Sequence, residues 1–582
     1  MTTRKRIFTT SISILIVAMV AFSYGFQKQE KEETQKPNVI LVMTDDQGYG
    51  DLSCHGNPFI QTPHIDKLYQ EGIRLTNFHV NPVCAPTRAA LMTGKYASRA
   101  GVWGNQKGRY ILNKDEVTIA EVFKENNYKT GMFGKWHLGD NYPYRPHDRG
   151  FQEAVVTEAA GVGQNPSFWR NDYFDDVYLH NGKNEFYEGY CTDIWFENAM
   201  RFIEENKNEP FFCYLPINAP HFWYFVPNDY TLTFREKGMD DYLSRFLGMI
   251  VNIDENMGKL LNKLEELSLT ENTIFIFMTD NGHSDYKLPT DGPFHYNAGM
   301  RGVKASAYDG GHRVPCFIRW PQGKITGGKD ITQLTAHFDL MPTLIDLCQL
   351  KNKHAIDFDG KSLAPLLRNN KANWSERTLF VDFQGSIEKP IKWLRSAVMT
   401  EQYRLIDGKE LYDIKKDPSQ NNDIAEAHPV IVEQLRKEYE QWWEHVSDRF
   451  PPDRWPRIPL GDKNANSVRL TCLDWHGGGG AWDQEVIRNR QQQNGYWAVD
   501  IANDGEYEFT CRTYPKEEDT RMNVTKVRLK IGDQEIEKDC YPGASEVKLK
   551  LNLKKGETIL QTWFYENDGN SFGAPYVYVN RL

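Results

Sequence analysis

Two short apolar runs, each closing on acids, limit what this chain can become more than any other feature. Residues 37–43 (Pro-Asn-Val-Ile-Leu-Val-Met) and 273–278 (Thr-Ile-Phe-Ile-Phe-Met) are too short for buried helices and rich in β-branched and aromatic residues. Such unbroken runs read as strands covered on both faces, the pattern of a parallel sheet. Asp45-Asp46 follows the first run and Asp280-Asn281 the second. In open α/β sheets ligands gather beyond the carboxyl ends of the strands, so the two acidic ends predict one shared site. Residues 117–127, 194–206 and 243–267 carry helical apolar spacing between them.

At 582 residues the chain exceeds what one core supports, and its texture changes twice. The expected architecture starts with an α/β body at 37–366, a large mixed β-sheet sandwiched by helices. After it, 377–383 and 393–406 read as strands, Glu410-Leu411-Tyr412-Asp413 runs into a turn at Lys416-Asp417-Pro418, and 429–446 reads as a helix. That describes a small α+β subdomain at 367–449. The proline-rich stretch after it predicts a linker over 450–467. From 468 to 582, short alternating runs at 495–501, 506–514, 524–531, 545–551 and 556–565 predict an appended β-sandwich. The four glycines at 477–480 read as a flexible turn, because they lack the strand–helix context of a phosphate-binding loop.

Residues 1–25 carry Arg4-Lys5-Arg6, an apolar run from Ile12 to Phe22, then small residues: the pattern of a signal peptide. The run falls short of the roughly 20 residues that span a bilayer. An exported protein, periplasmic or secreted, is expected, with no stable membrane insertion once the segment is removed. The formal net charge of −10 argues against nucleic acid or an anionic membrane as partner. An anionic substrate would need local cations. The nine cysteines form no C-x-x-C pair and resemble neither a zinc site nor a dense disulfide framework. Export would still permit a few bridges, and the odd count is consistent with one cysteine set aside for chemistry.

Four further segments carry candidate chemistry. Cys84-Ala85-Pro86-Thr87-Arg88 leads through small residues to Thr93-Gly94, although a lone cysteine is more often an inert core thiol. In Gly134-Lys135-Trp136-His137-Leu138-Gly139, Lys135 and His137 share one side of an extended segment. Asn218-Ala219-Pro220-His221 follows an apolar strand at 211–217, and Arg301-Gly302-Val303-Lys304 leads into 308–315, Tyr-Asp-Gly-Gly-His-Arg-Val-Pro. Asp45, Asp46, Asp280 and Asn281 supply hard oxygen ligands of the kind that suit Ca²⁺ or Mg²⁺. Acids at the ends of buried strands are costly without compensation, which a metal would provide.

In this order the motifs resemble the formylglycine-dependent (type I) sulfatases of the alkaline phosphatase superfamily, over about 37–366 and again at 410–418. The resemblance implies an alkaline-phosphatase-like fold and a Cys84 converted to 3-oxoalanine (formylglycine) by a formylglycine-generating maturation enzyme. Its hydrate supplies a hydroxyl that attacks sulfur and then expels sulfate by collapsing to the aldehyde, where a plain serine would be left esterified. It also implies one Ca²⁺ per chain, bound by Asp45, Asp46, Asp280, Asn281 and the modified Cys84. Lys135 and Lys304 would hold the sulfate, His137 would stand beside the nucleophile's second hydroxyl, His221 would serve the leaving group, and Arg88 would complete the cationic set. Family members often carry proline shortly after the position of His221; here Phe222-Trp223-Tyr224-Phe225 suggests a local aromatic wall.

The expected activity is sulfate-ester hydrolysis on a sulfated polysaccharide or its oligosaccharides, with marine algal ulvan or carrageenan among the candidates. The alternative is phosphomonoester or phosphonate-ester hydrolysis within the same superfamily. A binding protein that merely kept the fold would show gaps in the constellation, and none is visible. The aromatic segments 168–178 and 222–225 would form sugar platforms or pack in the core. In the sandwich, Trp475, Trp482, Trp497 and Trp563 would either stack on sugars or fill its core.

Overall fold

Strand Asn38–Thr44 lies between Phe211–Pro216 and Thr273–Thr279 and runs parallel to both, with Leu41 opposite Tyr214 and Ile276. The structure is a computed structural model describing residues 35–368, 374–489, 493–541 and 543–582. All three strands are buried along their whole length, as runs without alternation require. Their side chains part between two cores. Val39, Leu41 and Met43 enter one apolar cluster, while Ile40 and Val42 enter the other, because successive strand residues face opposite sides.

Ten strands complete this mixed sheet. Beyond Phe211–Pro216 come the parallel strands Lys129–Lys135 and Glu153–Thr157, then the antiparallel hairpin Phe174–His180 and Lys183–Tyr190. Beyond Thr273–Thr279 come Cys316–Arg319, Ile73–Leu75 and Lys329–Ile331. Helix Asp241–Glu266 covers one face with Phe246, Ile250, Ile253, Met257, Leu260 and Leu264 at three- and four-residue spacing, and Asp240 caps it by accepting from Leu243 N–H. Helix Cys84–Thr93 is buried at every residue.

The small subdomain is an antiparallel sheet in chain order, Leu379–Asp382, Ser396–Met399, Tyr403–Ile406 and Glu410–Asp413. Helix Pro429–Val446 covers it with Leu435, Tyr439, Trp442 and Trp443. The single strand expected over 393–406 is two strands, because Thr400 N–H turns back to Tyr403 O at 2.9 Å.

The C-terminal sandwich starts earlier than its alternating runs indicate. Ile458–Leu460, inside the expected linker, pairs in parallel with Tyr496–Ile501. Ile458 and Leu460 point into the core and Pro459 does not, so one proline concealed a strand at the sheet margin. Trp475 and Trp497 are 2% and 0% exposed and pack edge to face at 5.7 Å, so they build core and not a sugar platform. The sandwich joins the α/β body through buried contacts. Tyr110 donates to Asp474 Oδ1 at 2.6 Å, Tyr576 to Asn165 Oδ1 at 2.7 Å, and the Arg109 guanidinium stacks 3.4 Å over Trp455. Trp169 belongs to the sandwich core, while Tyr173 and Tyr178 are buried in the body, so core packing accounts for most of the 168–178 segment. All nine cysteines are free thiols, and no bridge forms.

The expected signal peptide, 1–25, lies outside the described residues. Among the described residues, no helix is long and apolar enough to cross a membrane.

Candidate active site

Four neighbouring parallel strands bring polar groups to one edge of the sheet. Asp45 and Asp46 follow Asn38–Thr44, Asp280 and Asn281 follow Thr273–Thr279, Lys135 ends Lys129–Lys135, and His221 lies five residues past Phe211–Pro216. Backbone bonds fix the loops: Asp280 N–H donates to Thr44 O at 3.0 Å and Asp45 N–H to Ala219 O at 3.1 Å. The N-terminus of helix Cys84–Thr93 meets this edge, with Cys84 Sγ 3.5 Å from Asp45 Oδ1. Cys84 and Arg88, one helical turn apart, share a face of that helix.

The charges are closely interlocked. Arg88 Nη2 donates to Asp280 Oδ2 at 2.8 Å and Asp45 Oδ2 at 3.3 Å, and its Nη1 to Lys135 O at 2.5 Å. The Lys135 ammonium donates to Asp45 Oδ2, and Lys304 Nζ lies 2.5 Å from Asp46 Oδ1. Three acids thus face three cations in a site where Asp45, Asp46, Asp280, Arg88 and Lys135 are all fully buried. Burial pushes the Asp45 carboxyl up, but Lys135, His221 and Arg88 outweigh it and hold it well below the usual range. Asp280 is raised to about 6 by burial and by Asp45, against the pull of Arg88. The Cys84 thiol is pushed up to about 12, chiefly by burial and then by Asp45. An unaltered thiol there would stay protonated and weakly nucleophilic.

Two buried oxygens in the cluster, Asp46 Oδ2 and Asn281 Oδ1, have no hydrogen-bond donor. Asn281 is held by its amide nitrogen, which donates to Asp46 Oδ1 at 2.8 Å. Orphaned acceptors among three carboxylates fit a hard divalent cation, and ligand atoms of Asp45, Asp46, Cys84 and His221 all lie within 4.8 Å of one another.

The two histidines are buried, and each is held through one ring nitrogen. His137 Nε2–H donates to Asn105 O at 2.9 Å, and its buried Nδ1 has no partner. Burial and then Lys135 hold its pKa well below the usual range, so the ring is neutral with a bare Nδ1. His221 Nδ1–H donates to Phe222 O at 2.5 Å, leaving Nε2 3.5 Å from Asp46 Oδ2. Burial lowers His221 to about 4, although Asp46 pulls the other way. The wall expected after His221 is present: Phe222 stacks on the imidazole at 4.5 Å and on Tyr286 at 4.2 Å, and meets Trp482 of the C-terminal region edge-on at 5.7 Å.

All ten sequence-derived site residues converge here, and three more join them. Asn105 accepts Ala85 N–H through Oδ1 at 3.1 Å as well as the His137 proton. Asp51 accepts His283 Nδ1–H at 3.0 Å, and its carboxylate outweighs burial to raise the His283 pKa. Asp51 was visible as an acid in the Gly-rich tail of the first strand and His283 as a histidine two residues past Asn281, an alternative to His221 as acid; nothing local marks Asn105.

The family model described as Sulfatase matches residues 37–350, more than half of the chain, and one described as N-sulphoglucosamine sulphohydrolase, C-terminal, matches 303–445. An arylsulfatase of Hemicentrotus pulcherrimus is 32% identical over 58% of this chain and 63% of its own length. An N-acetylglucosamine-6-O-sulfatase of Bacteroides thetaiotaomicron is 26% identical over 78% of this chain and 94% of its own. The N-acetylgalactosamine-6-sulfatase of Homo sapiens is 30% identical over 57% and 66%. The chain thus spans just under two thirds of the first and third of these relatives. Among solved structures, Ps i-CgsB in complex with k-i-k-neocarrahexaose superposes with a TM-score of 0.63 at 28% identity, over 72% of this chain and 95% of that one.

Proposed function

The chain belongs to the sulfatase family, and on that premise we propose that it hydrolyses sulfate esters of carbohydrates with a nucleophile made from Cys84. The observation that carries the reading is the cradle of Arg88, Lys135 and Lys304 around Cys84, at a helix N-terminus beside orphaned carboxylate and amide oxygens. Asp45, Asp46, Asp280 and Asn281, with the modified Cys84, would hold one Ca²⁺, which would polarise the ester's sulfate oxygens. Cys84 as formylglycine supplies a hydroxyl nucleophile that regenerates the aldehyde after transfer.

The rest of the chemistry falls to the chain's own side chains. Three cations balance three acids before any ligand arrives, so a bound divalent cation leaves a positive site that selects an anionic ester. Lys135 and Lys304 then exchange carboxylate contacts for sulfate oxygens, and Lys304 reaches the bridging oxygen where charge develops. Neutral His137, with Nε2–H fixed on Asn105, offers Nδ1 as base toward the nucleophile's second hydroxyl. His221 Nε2 faces the leaving oxygen; an anionic ester beside it favours the protonated ring that acid catalysis needs.

The substrate class rests on relatives. Two of them are named for 6-sulfated hexosamines and a solved neighbour holds a carrageenan oligosaccharide. We place the protein outside the cytoplasm, exported by its first 25 residues and matured on Cys84 by a formylglycine-generating enzyme. Sulfate release from carrageenan, ulvan and glycosaminoglycan oligosaccharides, run against matched aryl sulfate and aryl phosphate, tests the reading. Faster turnover of the phosphate would overturn it.

A further inference from the structure

A groove of 610 Å³ opens beside the nucleophile, and three separate parts of the chain line it: Asn105–Lys107 from the α/β body, Phe383–Glu388 from the small subdomain, and Gly477–Gly478 from the C-terminal region. Its volume falls in the roughly 300–1,000 Å³ range of small-molecule sites. Hydrogen bonds lock these walls together. Gln106 N–H donates to Ser386 Oγ at 3.1 Å, Trp103 Nε1–H to Ile387 O at 2.9 Å, and Lys107 N–H to Leu473 O at 2.8 Å. Gly104 sits so close to the subdomain that a Cβ would lie 2.3 Å from Gly385 O. Two of the three walls are thus tied directly to each other, and the third is tied to them at Leu473.

It is continuous with the catalytic cluster. Asn105 is both its lining and the residue that accepts from His137 and from Ala85 N–H, one position past Cys84. The Gly477–Gly480 turn leads directly to Trp482, whose ring meets Phe222, which stacks on His221. The loop from 477 to 482 thus runs along the site from the side of the nucleophile to the side of the leaving group.

The lining is mixed in chemistry. Asn105, Gln106 and Ser386 are neutral donors and acceptors, Phe383 offers a half-buried ring, and Lys107 and Glu388 enter no ion pair among the described residues. Glu388 also acts electrostatically on the buried Arg109, and a cation and an anion facing one cleft outside any ion pair suit a ligand dense in hydroxyl groups that also bears negative charge. Neighbouring glycines leave the wall flat.

We propose that this groove is a saccharide subsite that takes the sugar rings adjoining the sulfated one, so that the C-terminal sandwich acts as a wall of the catalytic cleft and sets chain-length preference. Lys107 would contact a further sulfate or carboxylate, and Glu388 would accept from ring hydroxyls. The proposal rests on the sulfate-ester reading above.

The test uses the full, matured chain and defined carrageenan and glycosaminoglycan fragments. The measured quantity is the ratio of kcat/KM for sulfated hexasaccharides to that for the matching monosaccharide sulfates. In the parent the ratio is expected to be about tenfold or more; Lys107→Met and Glu388→Gln should each lower it severalfold, the loss falling on KM more than on kcat. A parent ratio near one, or a ratio unchanged in either variant, overturns the subsite. Failure of the sulfatase reading is a different result: no sulfate released from any ester, 4-nitrophenyl sulfate included.

Discussion

Arg88 Nη2 lies 2.8 Å from Asp280 Oδ2, joining the helix that begins at Cys84 to a strand end 192 residues away. Both side chains are fully buried, so neither charge has water to fall back on. Arg88→Ala should destabilise the protein by about 3–5 kcal/mol, because Asp280 and Asp45 are left uncompensated. Arg88→Lys keeps the charge but cannot reach Asp280, Asp45 and Lys135 O together, so it should fall between. Urea unfolding checks both, and a parent-like midpoint for Arg88→Ala would show that the pair does not hold the site.

The orphaned Asp46 Oδ2 and Asn281 Oδ1 predict a metal dependence. Purified protein should carry one Ca²⁺, and chelation should lower the thermal midpoint, as removal of any ligand specific to the native state does. Asp46→Ala and Asn281→Ala should lose metal and activity while the fold persists. Elemental analysis decides; stoichiometric zinc with no calcium would sink the assignment.

Maturation of Cys84 should make its peptide lighter by about 18 Da, since CH₂SH becomes CHO. Burial pushes an unmodified thiol there up to about 12, so alkylation must be tried on unfolded protein. A fully alkylatable Cys84 in active enzyme would remove the nucleophile from the mechanism.

If His221 protonates the leaving oxygen, its loss should depend on the substrate. His221→Ala should cost roughly 10²-fold on a sulfated sugar, a basic leaving group, and far less on nitrophenyl sulfate. Lys135→Ala, which weakens the hold on the sulfate itself, should harm both alike. Equal losses for His221→Ala would shift the acid role to His283, whose pKa Asp51 raises against burial.

Where the α/β body meets the sandwich, burial and then Glu158 and Asp474 raise Asp140 to about 7. The native state therefore keeps a proton that the unfolded chain releases near pH 4, and stability should fall as pH rises from about 4 to 7, by at most about 1.4 kcal/mol per pH unit. Asp140→Asn should flatten that slope. Thermal midpoints at pH 5 and 7 measure it; an unchanged slope would mean the carboxyl titrates normally.

Much of the site was legible because it is written locally. The unbroken apolar runs that became Asn38–Thr44 and Thr273–Thr279 fix buried parallel strands, and acids directly after such strands must sit at their carboxyl ends. Helical spacing in the stretch that became Asp241–Glu266 set the face it buries. The Ile458–Leu460 strand was missed because three residues with a central proline carry no period.

The sequence by itself determined the two buried strands Asn38–Thr44 and Thr273–Thr279 and the acids at their ends, since each depends on neighbours a few positions apart. Tertiary structure alone decided that Asn105 holds both His137 and the Cys84 helix, that Asp51 pairs with His283 and raises its pKa, and that Trp475 and Trp497 are core while Trp482 reaches Phe222. These contacts join chain segments as far apart as Phe222 and Trp482. Such pairings follow from how distant segments pack against one another, and shape complementarity between them leaves no periodicity or spacing in the chain.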